Sequence, residues 1–330
     1  MIKLKWIRII FLFALINIIT LLGKIIYSGT ESNYSVYLKE INEIVITGQP
    51  ADIFLREDTA YIITSSGMLM GVDLSKPYDN LSVSTYNNIS GVISIAFNGY
   101  FAYIAANDGK INIYDFSSAE RPLKNTIETH GILNKIAVSD GLLYCTQRDL
   151  GLSVYDITNP AYPILKGNQI ISGSPNSLFV KNRKAFITSS NANLSIINTT
   201  DPSALPVIGR YNFGIEFYDV YVSDNFAYIS QGATGVQVLN VETLSNPTWV
   251  TNIFSRKFSK QVVTIGYYTW VNDDNSIQAF YNKDPKSQLY AGNYNSIGAV
   301  INRIYVNDNK YIYLLSSDSK LKVLKIEYNY

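Results

Sequence analysis

Short runs in which apolar and polar residues alternate, broken by Asp, Asn, Gly, Ser and Pro, make up almost all of the chain beyond residue 34. A period of two is what a half-buried strand requires, because successive side chains point to opposite faces. The stretch Gly151–Pro160, Gly-Leu-Ser-Val-Tyr-Asp-Ile-Thr-Asn-Pro, joins such a strand to a turn, and relatives of it return from Gly67 to the C-terminus. One whole unit reads as four strands, Asp219–Ser223, Phe226–Ser230, Gly235–Val241 and Thr248–Ile253. Turn chemistry separates them at Asp224-Asn225, Gly232–Gly235 and Ser245-Asn246-Pro247. Nothing in it reads as helix.

The spacing of the aromatic strand centres decides the architecture. Tyr61, Tyr103, Tyr144, Phe186, Tyr228, Trp270 and Tyr313 are separated by 42, 41, 42, 42, 42 and 43 residues. Before each sits a polar–apolar pair, Asp52-Ile53, Ser94-Ile95, Lys135-Ile136, Ser177-Leu178, Asp219-Val220, Gln261-Val262 and Arg303-Ile304. After each comes an Asp-like position: Asp73, Asp115, Asp156, Asn198, Asn240, then Tyr281 and Lys325. Four antiparallel strands in about 42 residues is the size of one β-propeller blade.

The fold class is therefore all-β, a seven-bladed β-propeller of four-stranded antiparallel blades. The repeats run approximately 51–91, 92–131, 132–174, 175–215, 216–257, 258–299 and 300–330. The last unit ends after its third strand, Lys320–Glu327, while Ser35–Ile46 is a strand-like segment with no blade of its own. The economical solution is that 35–46 supplies the outer strand of the last blade, which closes the ring and covers edges that would otherwise template aggregation.

With Leu152-Ser153-Val154-Tyr155-Asp156 followed by Ile157-Thr158-Asn159-Pro160, the repeat resembles the LVIVD repeat, a bacterial and archaeal propeller repeat. The resemblance covers roughly residues 35–330. It is strongest in units two, three and five and fades in units six and seven, where Ala279-Phe280-Tyr281 and Val323-Leu324-Lys325 lack the acid. It implies a propeller in an exported or surface protein, and it brings no catalytic motif.

Composition agrees with strands: 26 Tyr and 14 Phe, and only 16% charged residues, with 27 basic against 26 acidic. That balance gives no nucleic-acid footprint. Residues 1–29 read as a signal peptide or signal-anchor, with Lys3, Lys5 and Arg8 before the apolar run Ile9–Leu22 and small residues at Ser28, Gly29 and Thr30. The rest, residues 30–330, is the propeller. Removing the leader would leave 23 basic against 26 acidic residues, a net charge of −3. The expected location is periplasmic, cell-surface or extracellular, with membrane contact only through residues 9–22 if they are retained.

Candidate chemistry is sparse. Asp73, Asp115 and Asp156 lie before turns of different blades, too far apart to converge on a metal, so Asx-type turn capping accounts for them, as it does for Asn198 and Asn240. His130 is the only histidine and falls in a blade-to-blade connection, where a solvated loop residue is the plainer account than a catalytic base. Cys145 follows a strand-centre tyrosine, as a buried thiol would. Asn272–Ser276 is like a fragment of a calcium loop but lacks its spaced acids and closing Glu, and it reads as a solvated turn. Phe213, Phe217, Tyr218 and Phe258 are candidate exposed aromatics, with core packing equally in play.

The polar ring Asp52, Ser94, Lys135, Ser177, Asp219, Gln261 and Arg303 would surround the mouth of the central channel, and it is the candidate ligand-binding set. A wet channel mouth that tolerates any polar residue is the competing account. No motif calls for a cofactor. The sequence thus suggests a non-enzymatic exported scaffold that binds a protein or polysaccharide through one face. The alternative is a lactonase-like hydrolase or quinoprotein-like enzyme with a cation or cofactor at the channel mouth.

Overall fold

The computed structural model describes residues 34–86, 89–191, 193–212, 214–308 and 310–329. The expected leader and Phe213 lie outside them. The described residues form twenty-eight strands and no helix. The chain opens with β1 (Val36–Val45). Blade one is β2 to β5 (Pro50–Arg56, Thr59–Thr64, Leu69–Asp73, Ser82–Thr85), and blade two is β6 to β9 (Val92–Asn98, Phe101–Ala106, Lys110–Asp115, Leu123–Glu128). Blade three is β10 to β13 (Leu133–Ser139, Leu142–Gln147, Gly151–Asp156, Ile164–Gln169), and blade four is β14 to β17 (Pro175–Lys181, Lys184–Ser189, Asn193–Asn198, Val207–Asn212). Blade five is β18 to β21 (Asp219–Ser223, Phe226–Ser230, Val236–Asn240, Thr248–Ile253), and blade six is β22 to β25 (Ser259–Ile265, Tyr268–Asp273, Ser276–Tyr281, Leu289–Asn295). Blade seven takes β26 to β28 (Ile301–Asn307, Tyr311–Ser316, Lys320–Tyr328) and, as its outer strand, β1.

Closure is as the sequence implied. β1 pairs antiparallel with β28 from Val36↔Tyr328 to Val45↔Lys320. Ion pairs Lys320–Glu43 (2.9 Å) and Lys322–Glu40 (3.2 Å) cross the same seam.

The core is divided among the seams. Each of seven apolar clusters lies between two neighbouring blades, and the seam between blades seven and one, with Ile53, Ile62 and Met70 against Tyr313, Leu321 and Val323, resembles the others. A middle strand covered on both sides must be apolar on both faces, which is why Ala102–Ala106 is buried throughout while the outer strand Ser82–Thr85 is exposed. The strand-centre aromatics are all buried, and several use their hydroxyl to reach the next blade. Tyr103 Oη donates to the Pro160 carbonyl at 2.8 Å, and Tyr144 Oη lies 3.1 Å from Thr199 Oγ1.

The recurring acids cap turns. Asp73, Asp115 and Asp156 accept backbone N–H bonds from Ser75, Ser117 and Thr158 at 2.9 Å, and Asn198 and Asn240 do the same from Thr200 and Glu242. Donation from the residue two positions on holds the carboxyls of Asp73, Asp115 and Asp156 below the usual carboxylate range. Blade six, where the position is Tyr281, caps the same connection with Asp284, which accepts from the Lys286 N–H.

Candidate functional site

The seven ring positions lie at the starts of the seven innermost strands, β2, β6, β10, β14, β18, β22 and β26. In six blades the register with the second strand shifts by one just before the ring residue, between Pro50 and Asp52, for example, or Ile301 and Arg303. The extra residue turns its side chain sideways. Asn176 Nδ2 thereby donates to the Phe217 carbonyl of the next blade (2.8 Å) and Asn302 Nδ2 to that of Pro50 (2.6 Å), while Asn134 donates to the Pro175 carbonyl.

Most ring side chains are also spent on a neighbouring blade. Arg303 pairs with Asp52 across the closing seam at 3.3 Å, and the attraction of Asp52, helped by Asp219, raises the guanidinium pKa above its ordinary value. Ser177 Oγ donates to Asp219 Oδ1 (2.7 Å), and Ser94 Oγ accepts the Ile136 N–H (3.2 Å). The Gln261 amide both donates to the Ile304 carbonyl and accepts its N–H, each at 2.9 Å. Lys135 differs: its ammonium has neither a hydrogen bond nor an ion pair among the described residues, although its backbone bonds to Thr146.

These groups open into a cavity of about 340 Å³ whose wall includes Asp52, Ser94, Lys135, Gln261 and Arg303, with Phe54, Phe97, Phe179 and Tyr305 further along the inner strands. The channel is thus polar at one end and aromatic beyond it. Burial lifts the phenol pKa values of Tyr221 and Tyr305, and in Tyr221 the neighbouring Tyr305 adds to the effect.

The polar end belongs to the face that carries the loops between second and third strands and the blade-to-blade connections. Five of those connections present an exposed apolar side chain: Ile132, Ile170, Ile215, Phe254 and Ile297, the last 97% exposed. Phe258 is exposed as well and packs edge-on against Tyr218 at 4.9 Å. Of the aromatics read from sequence, Phe258 is a surface group and Tyr218 is half-buried. Phe217 takes the core-packing reading: it is fully buried, packed in the seam between blades four and five. Phe254 and Ile297 escaped sequence reading because an isolated apolar residue in a loop carries no periodic signal.

His130 is exposed with a left-handed backbone (φ 60°), as suits a turn, and Cys145 is buried, with its thiol pKa raised by desolvation. Among the described residues, no three of His, Cys, Asp and Glu gather as a metal site.

A correction concerns Asn272–Ser276, read from sequence as a solvated turn. Asn272 and Asp273 are fully buried, not solvated. Asp273 Oδ2 accepts the Arg256 N–H at 2.9 Å and a bond from Gln278 Nε2, fastening the connection that carries Phe254 and Phe258. Asp273 Oδ1, Gln278 Oε1 and Asn272 Oδ1 have no hydrogen-bond partner among the described residues. Desolvation raises the Asp273 carboxyl pKa, against the lowering pull of the Arg256 and Lys257 N–H groups. The folded chain therefore holds this proton more tightly than the unfolded chain does. The stability it contributes is full below the ordinary carboxylate pKa and is lost as pH rises through the raised value. Asp273→Asn keeps a carbonyl acceptor for Arg256, so its melting temperature relative to wild type is expected to climb as pH rises from the ordinary carboxylate pKa, about 4, through the raised one. A difference that stays flat or falls over that range in thermal melts would count against this assignment.

Comparison with known proteins agrees with the geometry. The LVIVD repeat model matches residues 92–122, 130–169 and 217–255, which are blades two, three and five. No curated protein matches the chain significantly. Solved structures that are similar include the computationally designed protein Ika8 (9% identity, TM-score 0.66, covering 87% of this chain and 99% of that one). The β-propeller domain of Cps50 (Swd1) from Myceliophteria thermophila matches with 9% identity and a TM-score of 0.70, covering 88% and 99%. The WD40 β-propeller domain of Doa1 matches with 11% identity and a TM-score of 0.69, covering 88% and 97%. At such identities the likeness is one of fold.

Proposed function

From a chain that carries LVIVD repeats and closes as a seven-bladed β-propeller, we propose a non-enzymatic binding scaffold, exported or held at the cell surface, that presents its channel-mouth face to a protein or polysaccharide. One observation carries the reading: the only ring cation left unpaired, Lys135, opens into the cavity at the centre of a face ringed by Ile132, Ile170, Ile215, Phe254 and Ile297. Exposed apolar anchors around a polar centre are what a partner surface needs in order to bury area and be fixed in orientation. The hydrolase-like or quinoprotein-like alternative would place a cation between Asp52 and Asp219, but those carboxylates already serve Arg303 and Ser177.

Retention of the purified protein on cell-envelope material is expected to drop about tenfold or more in the double variant Phe254→Ser/Ile297→Ser, with melting temperature unchanged, since anchor residues lose on the order of 2 kcal/mol when truncated. Unaltered retention would refute the use of this face. A rise in melting temperature with calcium, absent in Asp219→Asn, would favour the alternative.

A further inference from the structure

Every tyrosine and tryptophan among the exposed large apolar residues of the described chain lies at one end of the ring, the end opposite the channel mouth. Tyr100 and Tyr267 sit in turns between first and second strands, and Tyr78 and Tyr162 in connections between third and fourth. Trp249 and Tyr37 sit at the beginnings of the outer strands β21 and β1. Each is more than half exposed, and together they come from six different blades. The exposed apolar residues around the mouth, by contrast, are Ile, Phe and Val, which have no polar tip.

A side chain with an apolar ring and a hydroxyl or indole N–H at its edge is satisfied where hydrocarbon meets water, as in the headgroup region of a bilayer. Six such residues spread around a ring can all be met at once only by an extended, flat partner. Blade four, which lacks one, turns at this end through Lys181-Asn182-Arg183-Lys184. Basic groups there suit anionic headgroups, although Asp224 and Glu242 line the same groove.

The path of the chain singles out the same end. β1 starts there, with Val36 opposite Tyr328, and Tyr34 just before it stacks on Tyr281 at 4.1 Å. Only residues 23–33 separate Tyr34 from the apolar run Ile9–Leu22. Even fully extended, at about 3.5 Å per residue, they reach roughly 40 Å, so the chain enters the ring from this end and a membrane entered by that run would lie within about that distance of it.

We propose that the tyrosine-bearing end of the propeller lies on the headgroup layer of a lipid bilayer, which leaves the channel mouth facing away from the membrane. This goes beyond the binding-scaffold reading and rests on the sequence expectation that residues 9–22 enter a membrane. The test uses the full chain with vesicles of phosphatidylethanolamine and phosphatidylglycerol, carrying a fluorescent label at Tyr100→Cys or Tyr267→Cys, or at Ile132→Cys or Ile297→Cys. Cys145 is buried and stays silent. The protein is expected to float with the vesicles, and a headgroup-attached spin label is expected to quench the first pair several-fold more than the second. Flotation with equal quenching, or with stronger quenching of the second pair, overturns the orientation while leaving the membrane anchor standing. Failure to float overturns both. Protection of the first pair by insoluble polysaccharide, without quenching by lipid, would assign this end to a glycan and overturn the proposal.

Discussion

Excision of Val36–Val45 is expected to abolish cooperative folding. That strand buries Val36 and Leu38 and leads into the buried Ile46, and all three lose their setting when it is removed. At about 1.5–3 kcal/mol for each buried aliphatic side chain, the loss is roughly 5–9 kcal/mol, comparable to the whole stability of an ordinary domain. It also bares β28 as a free edge, which invites aggregation. Far-UV circular dichroism melts and soluble yield read the outcome. A variant that remains soluble and melts as wild type does would show that the ring does not depend on its borrowed strand.

The second large effect is expected at a glycine. Beside the register shift in each of several outer strands, the next residue meets the following blade: Asn42 and Asn125 donate to its backbone carbonyls, of Pro77 and Ala161, while Gly167, Gly209 and Gly292 press directly against one. A Cβ on Gly209 would overlap the Leu244 carbonyl oxygen, a backbone atom that cannot swing aside. Gly209→Val is therefore expected to cost about 3 kcal/mol, since overpacking forces neighbouring elements apart. Thr251, at the equivalent place in blade five, already carries a β-branched side chain, so Thr251→Val serves as the tolerated control. Denaturant titrations of the two variants should differ by that amount, and equal midpoints would contradict the packing described.

What could be read from sequence was whatever repeats within one blade. The aromatic spacing gave the blade count, the alternation gave the strands, and the Asp and Asn positions gave the turn caps, because each depends on neighbours close in the chain. The unpaired strand at each end gave the closure. What repeats poorly was harder. Arg303 and Asp52 meet only because the ring closes, so a reading along the chain sees two unlike polar residues and not an ion pair. Asn272 and Asp273 look like turn residues by composition, yet the connection holding Arg256 folds over them and donates its Arg256 N–H to the Asp273 carboxyl. Phe217 sits in a loop by sequence but fills a seam. The exposed crown of Phe254 and Ile297, and the confinement of exposed tyrosines to the other end, follow from which loops share a face, and only the assembled ring shows that.

Closure of a seven-bladed ring by the chain's first strand is tested most directly by a cross-link. Lys39 in β1 and Lys325 in β28 are register partners on adjacent antiparallel strands, within the span a disulfide bridges. In the Lys39→Cys/Lys325→Cys variant, oxidation is expected to give an intramolecular disulfide in nearly all molecules, seen as faster migration on a non-reducing gel, together with a higher melting temperature. Free thiols or disulfide-linked dimers in its place would contradict the account.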